Sequence, residues 1–126
     1  MKLEDQVCSL ELAKRLKELG VKQESYFCWQ PIGKVGNGGT FENTGTCRLV
    51  RYEDQRGAYA YSKTFAAFTV ADLGEMLPIF YSQFRYAPPP PDHEVVCDGH
   101  SERADTEANA RAKMLVYLLE QGIINP

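Results

Sequence analysis

The sequence predicts a single α+β domain, residues 1–126, in which three helices cover one antiparallel sheet of about five strands. Apolar residues recur at helical spacing between capping residues in three segments, and short aromatic-rich segments typical of strands lie between them. A chain of 126 residues buries one core and not two. The segments follow each other in the order α-β-β-β-α-β-β-α, and this interleaving favours one antiparallel sheet with the helices on one face.

The first helix is predicted over residues 9–19. Ser9 is a suitable N-cap, and Gly20 supplies the left-handed residue that ends many helices. The apolar stripe of this helix consists of Leu12, Ala13, Leu16 and Leu19. Residues 25–29 read Ser-Tyr-Phe-Cys-Trp, and their aromatic content and short length predict a strand.

Residues 33–45 contain five glycines and two asparagines, which leaves no side chains for a core. We expect a flexible glycine-rich hairpin loop or an edge insertion there. The segment lacks both phosphate-binding patterns, G-x-x-x-x-G-K-[ST] and a G-x-G-x-x-G between a strand and a helix. The remaining functional alternative for this segment is a flexible lid over a neighbouring site.

The middle of the chain is predicted to form a hairpin, a short helix and a further strand. Residues 47–53 and 58–63 alternate in side-chain character around a turn at 54–57, which predicts a β-hairpin. A short helix is predicted over residues 68–78. Residues 79–86 are rich in aromatic side chains and predict another strand.

The C-terminal third begins with a proline run, and residues 87–92 are predicted to form a stiff, extended spacer. Residues 93–97 are predicted as the last strand and residues 98–105 as a polar loop. The final helix is predicted over residues 107–121, with small apolar residues early in its buried stripe and large ones late.

Local end signals support the second and third helices. Thr69 is a suitable N-cap for the second helix, and Pro78 cannot continue it. Thr106 is a suitable N-cap for the third helix, and Gly122 is a suitable left-handed stop.

The charge of the chain is unevenly distributed and excludes several classes of partner. The net charge is −3, and the acidic excess lies in residues 92–126, which hold three basic and seven acidic groups. Residues 26–91 hold six basic and five acidic groups together with most of the aromatics. This balance argues against a duplex nucleic acid partner but allows a small anionic one. No apolar run is long enough to span a membrane, so we expect no membrane partner.

The cysteines and the N-terminus indicate a cytoplasmic protein. The first residues are charged and lack a continuous apolar stretch, so we expect no signal peptide and reduced thiols. Cys97 and His100 have the spacing of a metal-ligand pair, and Cys28 and Cys47 could complete a zinc site, although buried cysteine usually packs as a small apolar residue. No catalytic constellation stands out, and no cofactor is expected.

The strongest candidate site is a ligand-binding surface built from aromatic and basic side chains. Stacking faces and bidentate anion donors together suit a nucleotide or another phosphate-bearing ligand. The alternative is that these side chains only cover an exposed sheet face, because strands are rich in aromatic residues. The candidate residues are Trp29, Lys34, Arg48, Arg51, Tyr52, Arg56, Arg85 and Tyr86.

Three segments, residues 3–25, 67–78 and 104–120, carry a resemblance to known proteins. In these segments, which contain all three predicted helices with their caps, the chain resembles a group of small bacteriophage- and prophage-encoded proteins with no established activity. The resemblance implies a phage gene that acts in the cytoplasm of a bacterial host, and it transfers no functional residue. Helices of this kind with variable strands and loops between them suit a binding protein.

These observations lead to competing hypotheses. The first is a non-enzymatic phage accessory protein that counters host defence by binding and sequestering a small nucleotide-type signal. The alternative is a protein-interaction module that binds and inhibits a host or phage protein through an exposed aromatic strand edge. A metal or thiol enzyme using Cys97 and His100 and a single-stranded nucleic acid binder are weaker alternatives. We also expect a homo-oligomer, because the domain is small and rich in aromatic side chains.

Overall fold

The computed structural model describes residues 2–35, 41–54, 64–78 and 82–126, without the side chains of 33–35, 41–45 and 54. The described part contains three α-helices, six strands and two short 3-10 turns, at Leu3–Asp5 and Tyr52–Asp54. The helices are α1 (Leu10–Glu18), α2 (Val70–Met76) and α3 (Glu107–Glu120). The strands are β1 (Phe27–Val35), β2 (Phe41–Arg51), β3 (Phe65–Ala66), β4 (Ser82–Tyr86), β5 (His93–Cys97) and β6 (His100–Ala104).

The strands form two antiparallel sheets of three strands each, in the orders β2-β1-β3 and β4-β5-β6. The α+β class and the three helices are confirmed, whereas the prediction of one sheet of about five strands is wrong. The second sheet gains β6 from residues 98–105, which were expected to form a polar loop. Asp98 and Gly99 have φ values of 48° and 82°, so the chain reverses tightly after β5 and pairs with it again.

The predicted helix ends are confirmed in detail. The Ser9 hydroxyl accepts a hydrogen bond from the Leu12 amide at 3.4 Å, and Thr69 and Asp72 form a reciprocal capping box. The Thr106 hydroxyl accepts from the Asn109 amide at 3.1 Å. After α1, the Val21 amide donates to the Leu16 carbonyl across Gly20, as in a Schellman motif, and α3 ends in the same way across Gly122.

The first sheet extends further than expected. β1 and β2 pair from Phe27↔Arg51 to Val35↔Phe41, so the described parts of 33–45 belong to strands rather than to a loop. The strand predicted at 47–53 pairs with β1, and its predicted partner, 58–63, lies outside the described residues. The short strand β3 pairs with the other side of β1.

The proline run closes the hairpin between β4 and β5 instead of forming an extended spacer. The Ala87 amide donates to the Asp92 carbonyl at 2.7 Å, and Tyr86 pairs with His93 at the start of the ladder. Residues 88–91 therefore form a bend at which the chain reverses. A connection this short between two paired antiparallel strands must reverse the direction of the chain, and it therefore does not form an extended spacer.

The core lies between the helices and one face of each sheet. α3 packs on β5 and β6 and also contacts α1 and α2, while α1 packs on β3. The largest fully buried side chains include Leu16, Phe68, Leu73, Met114 and Leu115. No helix within the described ranges combines the length and the apolar character that crossing a membrane requires.

Candidate functional site

The structure distributes the predicted ligand-binding residues over both sheets. Trp29 and Lys34 lie on β1, Arg48 and Arg51 on β2, and Tyr52 directly after β2. Arg85 and Tyr86 lie on β4, in the second sheet. The side chain of Lys34 and the whole of Arg56 lie outside the described part of the chain. The two groups therefore do not share a strand ladder, and their role in ligand binding stays a prediction.

On the first sheet the candidate side chains have partners within the protein. The Trp29 indole donates from Nε1 to the Cys8 carbonyl at 3.1 Å and packs against the core, which is a structural role. Arg48 donates from Nη2 to the buried Gln30 side chain at 3.2 Å. Arg51 forms an exposed ion pair with Glu53 at 3.3 Å.

Cys97 and His100 are paired across the β5–β6 hairpin, but their side chains have different surroundings. Cys97 is buried in the core. His100 lies 3.0 Å from the Glu102 carboxylate, and its ring stacks on Tyr117. Within the described ranges no group of three or more His, Cys, Asp or Glu residues could hold a metal ion.

The pKa values of the other two cysteines of the zinc hypothesis are raised. Burial raises the pKa of Cys28 to about 11, and burial also raises the pKa of Cys47. Burial raises the pKa of Cys8 to about 11 as well. Since the thiolate is the nucleophile, these thiols are poorly suited to nucleophilic chemistry at neutral pH.

One cavity in the described part of the chain has a lining that includes none of the predicted ligand-binding residues. A cavity of about 590 Å³ opens between the first 3-10 turn and the starts of α2 and α3. Its lining includes His93 and three carboxylates, those of Asp5, Asp105 and Glu107. The threonines at its wall, Thr69 and Thr106, already cap their helices. This negative lining does not suit an anionic ligand.

The edge strand β4 presents two different rows of side chains. Phe84 and Tyr86 face the side on which α3 packs. The ring of Phe84 stacks on His93 at 5.9 Å, and the guanidinium of Arg111 on α3 lies 5.6 Å from the Phe84 ring. Tyr86, 62% exposed, contacts His93 edge-on at 5.3 Å. Gln83 and Arg85 point to the opposite, solvent-facing side.

Tyr86 is held at the hairpin end by Asp92. The hydrogen bond between the Tyr86 hydroxyl and the Asp92 carboxylate raises the pKa of Tyr86. Desolvation raises the pKa of Asp92, but the hydrogen bond from Tyr86 and the neighbouring His93 outweigh it, so the pKa of Asp92 lies below its usual value. The aromatic ring is thereby oriented at the open edge of the sheet while remaining exposed.

The hydrogen-bond phase of the β4–β5 ladder decides which backbone groups are available. The bond between Ala87 and Asp92 makes these two residues a hydrogen-bonded pair, and bonded and non-bonded pairs alternate along an antiparallel ladder. The N–H and C=O groups of Arg85 therefore point to β5, whereas those of Phe84 and Tyr86 point away from the sheet. No residue in the described part of the chain satisfies these outward groups of Phe84 and Tyr86.

The opposite edge of the same sheet is partly covered. In β6, the same alternation directs the Arg103 backbone outward, and its carbonyl accepts a hydrogen bond from Lys113 Nζ of α3 at 2.9 Å. A side chain of the core-packing helix thus reaches around this edge. The described geometry therefore contains one edge with a single covered carbonyl and one open, aromatic edge in the same sheet.

Sequence reasoning identified Arg85 and Tyr86 but missed Phe84, Glu94 and Arg103, which surround them. The alternation from Gln83 to Tyr86 was a usable signal, as was the Asp-Gly dipeptide, which favours a two-residue hairpin turn. Comparison of the chain with protein-family models, with curated proteins and with solved structures finds no match in any of the three. The geometry defines the candidate site as an open strand edge.

Proposed function

We propose that this chain is a non-catalytic binding protein that pairs an extended segment of another protein with the open edge of β4. The observation that carries the proposal is the outward direction of the Phe84 and Tyr86 N–H and C=O groups, which have no partner in the described part of the chain. An extended segment added beside β4 would satisfy these groups as a further strand does. Natural edges are normally covered or interrupted, and Lys113 covers the β6 edge in part, at the Arg103 carbonyl.

The side chains of β4 support such pairing. Phe84 and Tyr86 are both exposed at 36% and 62%, and they lie on one side of the strand. An aromatic side chain on an added strand would contact them as a cross-strand pair, which contributes about 0.2–1 kcal/mol per pair. Because β4 has only five residues, the partner segment is short and its affinity depends on these few pairs.

The setting of the proposal follows from the resemblance to phage proteins. In a bacterial cytoplasm, the partner would be a host or phage protein that is inhibited when one of its segments is taken up by β4. Inhibition of this kind needs occupancy and no chemistry, which fits a surface made of backbone groups and aromatic rings.

Two proline variants test the proposal. Proline at Tyr86 removes an outward N–H and leaves the ladder to β5 intact, because Tyr86 belongs to a non-bonded pair. Proline at Ser101 removes an outward N–H at the β6 edge, where no aromatic ring is lost, and serves as the control for the loss of an edge N–H. We expect a bacterial protein that co-purifies with the wild type and with Ser101→Pro to be lost from Tyr86→Pro. With that protein purified, amide exchange at Phe84 and Tyr86 should slow by at least about tenfold in the complex.

Two outcomes would overturn the proposal. Equal recovery of the partner by both proline variants would place binding elsewhere on the molecule. A homodimer that dissociates in Tyr86→Pro but not in Ser101→Pro, measured by sedimentation, would assign the edge to a second copy of this chain instead of a foreign segment.

Sequestration of a nucleotide-type signal is a second candidate. It is favoured by the exposed side chains of Arg48, Arg51 and Tyr52 near the end of the edge strand β2, where alternation places Arg48 and Arg51 on opposite sides of the sheet. Isothermal calorimetry against cyclic and ADP-ribose-type nucleotides tests it, with Arg48→Gln and Arg51→Gln as the variants. Heat of binding that these substitutions abolish supports the candidate, and an absence of heat with every nucleotide contradicts it.

A further inference from the structure

Three side chains form a row of alternating charge across the solvent-facing side of the second sheet. Arg103 on β6, Glu94 on β5 and Arg85 on β4 are direct cross-strand neighbours. The Glu94 side chain is only 7% exposed, and each of its carboxylate oxygens faces a cation. Arg85 contacts Oε1 through Nε, and Arg103 Nε lies 3.7 Å from Oε2. Two cations thus share one anion, and the row has a net charge of +1.

The two arginines differ in how far they are engaged. Arg103 also donates from Nη2 to the Ala87 carbonyl, and this second bond fixes its side chain against the face of the sheet. Arg85 uses Nε toward Glu94, and its side chain is 66% exposed at the open edge. A guanidinium carries five N–H donors in a fork that matches a carboxylate, so the Nη donors of Arg85 remain available in the described structure.

We infer that the segment paired with β4, if β4 binds as proposed above, carries an acidic residue opposite Arg85 between two apolar residues opposite Phe84 and Tyr86. Positive, negative and positive side chains follow one another across the sheet at Arg103, Glu94 and Arg85. An acidic residue on an added fourth strand, opposite Arg85, would continue this alternation. The apolar residues follow because side chains alternate along a strand, so the neighbours of the acidic residue lie on the side of the two exposed rings.

Charge complementarity favours this foreign segment over a second copy of β4. Antiparallel pairing of two β4 strands centred on Arg85 places two arginines opposite each other, and like charges in that position are destabilising. Pairing centred on Phe84 places Arg85 opposite Gln83 and brings no carboxylate to the row. A partner strand with an acidic residue neutralises the row in a way that β4 itself does not.

The test uses short peptides of palindromic sequence, so that the direction of pairing does not matter. Fluorescein-labelled GTVEVTG, GTVQVTG and GTVKVTG differ only in the central residue, and their binding to the full chain is measured by fluorescence anisotropy at low salt. We expect the glutamate peptide to bind about tenfold more tightly than the lysine peptide, with the glutamine peptide between them.

The variants assign this preference to one residue. Arg85→Gln should reduce the ratio of the two affinities from about tenfold to about one. Arg103→Gln removes the same charge from the other end of the row. It should leave the ratio within about twofold of the wild-type value, because β5 and β4 lie between Arg103 and the added strand. Circular dichroism and thermal unfolding of both variants establish that the chain is folded, and each ratio compares two peptides on one protein, so a common loss of stability does not change it.

The outcomes separate this inference from the proposed function. Equal binding of all three peptides that Tyr86→Pro abolishes would overturn the inference and leave binding at β4 intact. Binding of no peptide would also overturn the inference, and the lysate experiment with Tyr86→Pro and Ser101→Pro would then decide the proposed function by itself. A dimer lost in Tyr86→Pro alone would contradict both.

Discussion

The two edges of the second sheet differ although they belong to strands of equal length. β4 and β6 each have five residues and each pairs with β5 on one side. On β6, the outward carbonyl of Arg103 is bound by Lys113 of α3. On β4, the outward groups of Phe84 and Tyr86 have no partner in the part of the chain that the structure describes. A side chain of α3 therefore covers one carbonyl at the β6 edge, whereas no part of the described chain covers the outward groups of β4.

The side chains reinforce this difference. The outward position Ser101 of β6 is small and polar, whereas the corresponding positions of β4 are the exposed rings of Phe84 and Tyr86. Exposed aromatic rings next to unpaired backbone groups are a liability for an isolated protein, because they template pairing with other chains. A protein whose role is to capture a segment needs such an edge.

The largest effect is expected for proline variants that test which N–H groups of β4 point to β5 and which point outward. Arg85→Pro removes an N–H that points to β5 and should lower the free energy of unfolding by about 3 kcal/mol. Tyr86→Pro removes an N–H that points outward and should cost less than about 1 kcal/mol. Urea denaturation of both variants measures the difference. Arg85→Gln, which removes the charge and keeps the amide, separates the backbone contribution from the ion pair.

A larger cost for Tyr86→Pro than for Arg85→Pro would contradict the assigned phase. In that case the outward groups would belong to Gln83 and Arg85, and the open edge would have a different pattern.

A smaller effect is expected at the β6 edge. Lys113→Gln removes the charged donor of the Arg103 carbonyl and should cost about 0.5 kcal/mol, because the bond is exposed to solvent. The carbonyl carbon resonance of Arg103 should move upfield in the NMR spectrum, while those of Phe84 and Tyr86 stay unchanged. Lys22→Gln removes an exposed lysine paired with Glu24 and should leave all three resonances unchanged.

The smallest effect concerns the pH dependence of the open edge. The lowered pKa of Asp92 means that its contribution to stability is present above the usual aspartate value and is lost as the pH falls through the lowered pKa. The raised pKa of Tyr86 means that the same hydrogen bond persists below the usual tyrosine value and is lost as the pH rises through the raised one. The contact thus stabilises the hairpin between these two limits.

Tyr86→Phe provides the measurement. It removes the hydroxyl, so the pKa of Asp92, followed by carboxyl-carbon NMR, should rise toward its usual value. Tyr52→Phe removes a hydroxyl from an exposed tyrosine in the 3-10 turn after β2 and should leave Asp92 unchanged. An unchanged Asp92 pKa in Tyr86→Phe would show that Tyr86 is not oriented by this contact.

The sequence predicted the helices better than the sheets, and the reason is the range of the interactions. Ser9, Thr69 and Thr106 cap helices by bonding to amides three residues away, so the signal and its consequence lie in one short segment. Strand pairing joins distant residues. Residues 47–53 alternate as a strand should, but the alternation does not say that their partner is β1.

The prediction of candidate site residues was limited by the same lack of long-range information. Arg85 and Tyr86 stood out by residue type, and Trp29 stood out equally although its indole serves the core through the Cys8 carbonyl. Residue type does not distinguish an exposed ring from a structural one. Glu94 was missed because an isolated acidic residue in a strand shows no special pattern until arginines from two neighbouring strands face it.

By itself the sequence determined the α+β class, the three helices with their caps, and the strand character of the segments that became β4 and β5. Only the tertiary structure decided that the strands form two sheets, that Lys113 covers one carbonyl at the β6 edge, and that the edge of β4 is left open. Caps and turns depend on bonds within a few residues. The exposure of an edge depends on where a helix distant in sequence packs, and that is a property of the whole fold.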